Sequence, residues 1–125
     1  MLTTLKFHPR IKIYVVYLFL VAVTLAIFWQ VHRHEFVYFD DGVYVTQNPH
    51  IQSGLTLKGM IWAFSTTYAE FWHPLTWLSL MADYQVHGLH AGSYLLTNLF
   101  LHVLSALLLF WLFNRMTGAV WKSAF

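Results

Sequence analysis

Two long apolar runs set the pattern of this chain, and a mixed segment, residues 32–93, lies between them. The first run, Ile13 to Val31, reads IYVVYLFLVAVTLAIFWQV and carries no charge. As a helix, at ~1.5 Å per residue, it extends about 28 Å, close to the hydrocarbon thickness of a bilayer. Tyr14 and Tyr17 lie near one end and Phe28 and Trp29 near the other, where interfacial aromatics belong. A cleaved signal peptide is the competing reading. It has a shorter apolar region followed by a small-x-small site, whereas Phe28-Trp29-Gln30-Val31 follows here. The second run, Tyr94 to Phe113, is YLLTNLFLHVLSALLLFWLF, again of spanning length and without formal charge. Asn98, His102 and Ser105 recur in it at i, i+4, i+7, one polar stripe on an apolar helix. Such stripes join helices within a membrane, so this one implies neighbours; a substrate role is the alternative.

Between the runs, two shorter helices are predicted. Ser53 or Thr56 is placed to cap a helix in which Leu57, Met60, Ile61 and Phe64 recur at i, i+3, i+4, i+7, with Lys58 off the stripe. That helix would lie along a membrane surface or under other elements. A second helix begins at Pro74, a residue suited to the first helical position, runs from Leu75 to about Val86 and stops near Gly88. It is apolar on most sides and too short to span. It is therefore expected to bury itself against the interface or against protein that this chain does not supply.

Charge orients this plan. Lys6, Arg10, Lys12, Arg115 and Lys122 flank the outer ends of the two runs, and only Arg33 and Lys58 lie between them. The positive-inside rule puts residues 1–12 and 114–125 in the cytoplasm and residues 32–93 outside. All five acids (Glu35, Asp40, Asp41, Glu70, Asp83) and six of the eight histidines fall in that outside segment. Composition agrees. Charged residues make up 10% of the chain, against about 25% in a soluble domain. The fold class predicted is an all-α membrane protein, with transmembrane helices at 13–31 and 94–113 joined by an outside loop that carries short amphipathic helices. A net charge of +2 without a basic patch gives no reason to expect a nucleic-acid partner. With no cysteine there is neither a disulfide framework nor a thiolate metal site.

Candidate chemistry concentrates in Phe36-Val37-Tyr38-Phe39-Asp40-Asp41-Gly42-Val43-Tyr44. Asp-Asp-Gly between β-formers reads first as a hairpin turn. A carboxylate just outside a membrane is also placed to take the proton of an acceptor hydroxyl as general base, and an adjacent like charge strengthens such a base. The two readings are compatible. In Trp72-His73-Pro74-Leu75, a histidine just before a helix start is either a packing or capping residue or a donor to a phosphate, aided by the free N–H groups of the first turn. His50, His73, His87 and His90 raise the question of a metal. Gly88 breaks the His87-Gly88-Leu89-His90 element, however, and spacing places no third ligand, so no metal ligand is assigned.

Several segments in order carry a resemblance. They are Phe39-Asp40-Asp41, Trp72-His73-Pro74-Leu75-Thr76-Trp77-Leu78-Ser79, Tyr94-Leu95-Leu96-Thr97-Asn98-Leu99-Phe100-Leu101-His102, Met116-Thr117-Gly118 and Trp121-Lys122-Ser123-Ala124-Phe125. Together they resemble the N-terminal part of bacterial multi-pass membrane proteins with a C-terminal tetratricopeptide array, which are similar to the animal transmembrane-and-tetratricopeptide and protein O-mannosyltransferases. The resemblance implies a GT-C glycosyltransferase fold in a bacterial cytoplasmic membrane. It implies transfer of a sugar, typically mannose, from a polyprenyl phosphate carrier to a protein hydroxyl on the outer face. Asp40 matches the expected base and Asp41 a supporting acid. His73 stands where the animal relatives have arginine before Pro-Leu, and an imidazole is a weaker, pH-dependent phosphate partner. Family members have about ten or more spans. The resemblance thus makes this chain a fragment, inactive alone, whose partners include the missing transmembrane helices, membrane lipid, the lipid-linked sugar and a protein acceptor. No cofactor is implied. The alternative is a non-enzymatic two-span scaffold or assembly protein; a third reading is a periplasmic metal-binding loop.

Overall fold

The structure, a computed structural model, describes residues 9–124. Most of the expected N-terminal cytoplasmic segment, including Lys6, lies outside the described residues, as does Phe125. All regular structure among the described residues is helical: α1 (Pro9–Phe28), α2 (Leu57–Ser65), α3 (Pro74–His87), α4 (Ala91–Thr117) and α5 (Val120–Ala124). A 3₁₀ segment, Trp29–Arg33, continues α1. The helical segments Ile11–Arg33 and Ala91–Thr117 are long and apolar enough to cross a membrane. Both overrun the predicted limits. α4 has 27 residues, about 40 Å at ~1.5 Å per residue, and so exceeds a hydrocarbon core of roughly 30 Å. Neither is a core helix, since only 6% and 11% of their most apolar windows are buried.

The chain divides into two compact units. One holds the residues up to Gln30 and from Asn98 on; the other is Val31–Thr97. In the first, α1 and α4 run antiparallel. Tyr17 meets Phe110 edge to face at 4.9 Å between ring centres, and Phe28 meets the His102 ring at 5.8 Å. Val16 and Phe110 are buried there. Gly118 (φ 64°) turns the chain into α5, where the Thr117 and Ser123 hydroxyls lie 2.9 Å apart.

In the second unit, Thr56 caps α2, its Oγ1 accepting from the Gly59 N–H at 3.0 Å. The other expected cap, Ser53, instead bonds the His50 carbonyl. α3 starts at Pro74 and stops at Gly88, whose φ of 61° suits glycine. Val45, Ile51, Ala63, Trp77, Met81 and Tyr94 form the core. Trp77 and Met81 are fully buried, so one side of α3 finds its cover within the chain, while Leu75 and Val86 on it stay exposed. The hairpin expected at Asp40-Asp41-Gly42 does not form. Gly42–Thr46 is a single wide helical turn closed by Gln47 N–H to the Gly42 carbonyl, 2.8 Å. Two amides hold it in place of a partner strand. Asn48 Nδ2 donates to the Val43 carbonyl, and Gln52 Nε2 donates to those of Val45 and Thr46. Backbone acceptors that a strand would have paired are thereby satisfied locally.

Candidate functional site

The acidic pair sits where the extended segment after the first long helix bends into the wide turn. Phe39 N–H donates to the Val37 carbonyl at 2.8 Å. Val37 N–H donates to Asp41 Oδ2 at 2.7 Å, so Asp41 clasps the bend. Asp40 is exposed. Its carbonyl accepts the Tyr44 N–H at 2.9 Å, and its carboxylate makes no hydrogen bond to the described residues. The adjacent carboxylates thus have different tasks: one braces the backbone and the other stands free. A cavity of about 230 Å³ opens beside them, lined by Phe36–Phe39, Asp41, Gly42, Val43, Thr46 and Gln47. It combines aromatic faces with one carboxylate and one amide, a mixture that suits a polar ligand with an apolar face.

The wide turn joins this pair to the second candidate. Tyr44 stacks on the His73 ring (5.7 Å between centres, 18° between planes) and on Trp77 (5.0 Å, 21°). His73 in turn stacks on Trp77 at 4.6 Å. A helical turn with i→i+5 closure is rare and often sits at a functional site; here it presents Tyr44 to α3. His73 occupies the cap position of α3 without a side-chain capping bond. Its carbonyl accepts the N–H groups of Thr76 and Trp77. Proline has no N–H and those of Thr76 and Trp77 are engaged, so the first turn of α3 offers a phosphate few free donors. His73 Nε2 and Trp77 Nε1 are both buried without a hydrogen-bond partner. A buried polar group left this way costs about 1–3 kcal/mol.

The remaining candidates separate. His50 stacks on Trp62 at 4.3 Å, and His90 Nδ1 lies 3.1 Å from Ser93 Oγ. Among the described residues no three potential metal-ligating side chains gather. Asn98, His102 and Ser105 are all exposed, and of the three the His102 ring meets Phe28 of α1. Ser105 is satisfied by the Leu101 carbonyl at 2.8 Å, whereas the Asn98 amide has no hydrogen-bond partner among the described residues. One group escaped the sequence reading. Asp83 is buried in α3, and its Oδ1 accepts the Thr97 hydroxyl at 2.6 Å. Burial pushes its carboxyl above the usual range, partly offset by the Thr97 hydroxyl and by His87. The signal was there, since Asp83 is the one acid within the apolar Leu75–Val86 run. Comparison with models of known families, with curated proteins and with solved structures gives no match.

Proposed function

We propose that this chain supplies the acceptor-activating part of a glycosyltransferase of the GT-C type. It would transfer a sugar, mannose in the reading from resemblance, from a polyprenyl phosphate carrier to a protein hydroxyl at the outer face of a bacterial cytoplasmic membrane. One observation carries the proposal. Tyr44, bonded through its N–H to the carbonyl of Asp40, stacks on His73, so two segments singled out separately in the sequence share one ring. In the mechanism, Asp40 takes the proton of the acceptor hydroxyl as its oxygen bonds to the anomeric carbon. The bond from that carbon to the carrier phosphate breaks on the opposite side, and polyprenyl phosphate leaves with the electron pair, inverting the centre. Asp41 holds the bend that aims Asp40. His73 would donate a ring N–H to the departing phosphate once Tyr44 moves off its ring.

The reading calls for further membrane helices to complete a carrier groove. The unpartnered Asn98 amide supports it, because a polar side chain in lipid seeks a partner on another helix. The test is sugar transfer from a labelled polyprenyl phosphate donor to a serine- and threonine-containing peptide, in membranes that hold the chain together with those helices. Asp40→Asn is expected to abolish transfer while leaving the amount of folded protein unchanged. Normal transfer by that variant would remove Asp40 as the base.

A further inference from the structure

α2 turns a broad apolar face outward, unlike a surface helix of a water-soluble protein. Its small residues, Gly59 and Ala63, face the core, with the Met81 sulfur lying against Gly59. Three of its large apolar residues face away, Leu57 being 71% exposed, Ile61 62% and Phe64 54%, while Trp62 packs against the core beside Trp77. Trp72 extends this face, being 63% exposed and tied to the end of α2 by its Nε1–H, which donates to the Phe64 carbonyl at 2.9 Å. The one charged residue of α2 is Lys58, a cation, and it is exposed.

We propose that this face docks on the lipid bilayer at the boundary between headgroups and acyl chains. Three observations select lipid as the occupant. Residues 31–97 run at both ends into helices of membrane-crossing length, so the chain itself tethers them to a membrane. An apolar stripe edged by a cation and a tryptophan matches the layered chemistry of that boundary, where acyl carbon, an amphipathic ring and anionic headgroups follow one another. No carboxylate lies on α2 to oppose an anionic surface. This docking is independent of the sugar-transfer reading and stands or falls without it.

The chain has no cysteine, so single cysteines introduced at exposed positions report cleanly. Leu57→Cys, Ile61→Cys, Phe64→Cys and Lys58→Cys, each carrying a nitroxide, are compared in vesicles of phosphatidylethanolamine and phosphatidylglycerol. Collision with oxygen, which partitions into lipid, is measured against collision with a nickel chelate, which stays in water. The oxygen-to-nickel ratio is expected to be several-fold higher at positions 57, 61 and 64 than at 58. Equal ratios would mean a face in water and overturn the proposal. Loss of access to both reagents would mean a face covered by protein and overturn it too. A label-free measurement guards against perturbation by the nitroxide. Lipids brominated near the headgroup are expected to quench a smaller fraction of the emission of Trp72→Phe than of the parent chain; an unchanged fraction counts against docking.

Discussion

Asp83 has the most to lose from its surroundings. Burial favours its neutral form, so its folded-state pKa lies above the ordinary value of 3.8. Between those two values the folded state binds more protons than the unfolded one. Its contribution to stability is therefore greatest below about pH 4 and is lost as pH rises through the folded value. Asp83→Asn keeps an acceptor for the Thr97 hydroxyl and removes the buried charge. Its thermal midpoint is expected to exceed that of the parent near neutral pH, with the advantage shrinking towards about pH 4. The acidic pair should behave in the opposite, asymmetric way. Asp40→Asn is expected to change stability by no more than about 0.5 kcal/mol, since no bond is lost. Asp41→Ala, which deprives Val37 N–H of its acceptor, is expected to lose about 0.5–1.5 kcal/mol; denaturant melts of the two compare them directly. Gly92 offers a third test. A Cβ there would run into the backbone carbonyl of His32, which has no soft end to yield, so Gly92→Ala is expected to destabilise by about 1–3 kcal/mol.

At the scale of elements, α2 and α3 were legible because their signals are local. Thr56 at a cap, Pro74 at a first turn and Gly88 past a last turn act through their own backbone neighbours. Thr56→Ala is accordingly expected to cost about 1 kcal/mol in unfolding free energy. The direction in which α2 faces was not legible. A repeat at i, i+3, i+4 locates an apolar stripe but does not say which way it faces. Here Gly59 and Ala63 lie inside beside Trp62, and the close approach of Met81 to Gly59 requires a small residue there. The region around Asp40 misled for a related reason. Val43, Tyr44 and Val45 favour strands by propensity, yet that preference is weak and needs a partner strand. Asn48 and Gln52, whose amides hold the wide turn, lie outside the window in which a hairpin is recognised. Asp83 and Thr97 are 14 positions apart, and neither predicts the other.

For the molecule as a whole, the two helices of membrane-crossing length follow directly from uninterrupted apolar runs, the strongest signal a single sequence carries. Their orientation rests on where the basic residues fall. An impermeant maleimide added outside intact cells is expected to label a cysteine placed at Glu35 or Gln47 and to leave one at Arg115 unlabelled. The reverse pattern would turn the acidic pair towards the cytosol and end the proposal of outer-face transfer. The long exposed flank of α4 belongs to this scale as well. Leucines and phenylalanines there are at home in lipid, but an amide is not. On the proposed reading, in which further membrane helices flank α4, Asn98→Leu is expected to weaken association with them by about 0.6 kcal/mol, and by no more than about 2 kcal/mol, as read by energy transfer between labelled helices in vesicles.

The turn that carries Tyr44 takes in one residue more than a standard helical turn. Deleting a single residue from it would restore ordinary pitch and swing every later side chain by about 100° around the axis. Tyr44 would then leave the histidine it covers, although no amino acid important to either motif had been altered. The placement of Tyr44 over His73 is thus encoded in the number of residues in the turn, a property to which substitution scans are blind.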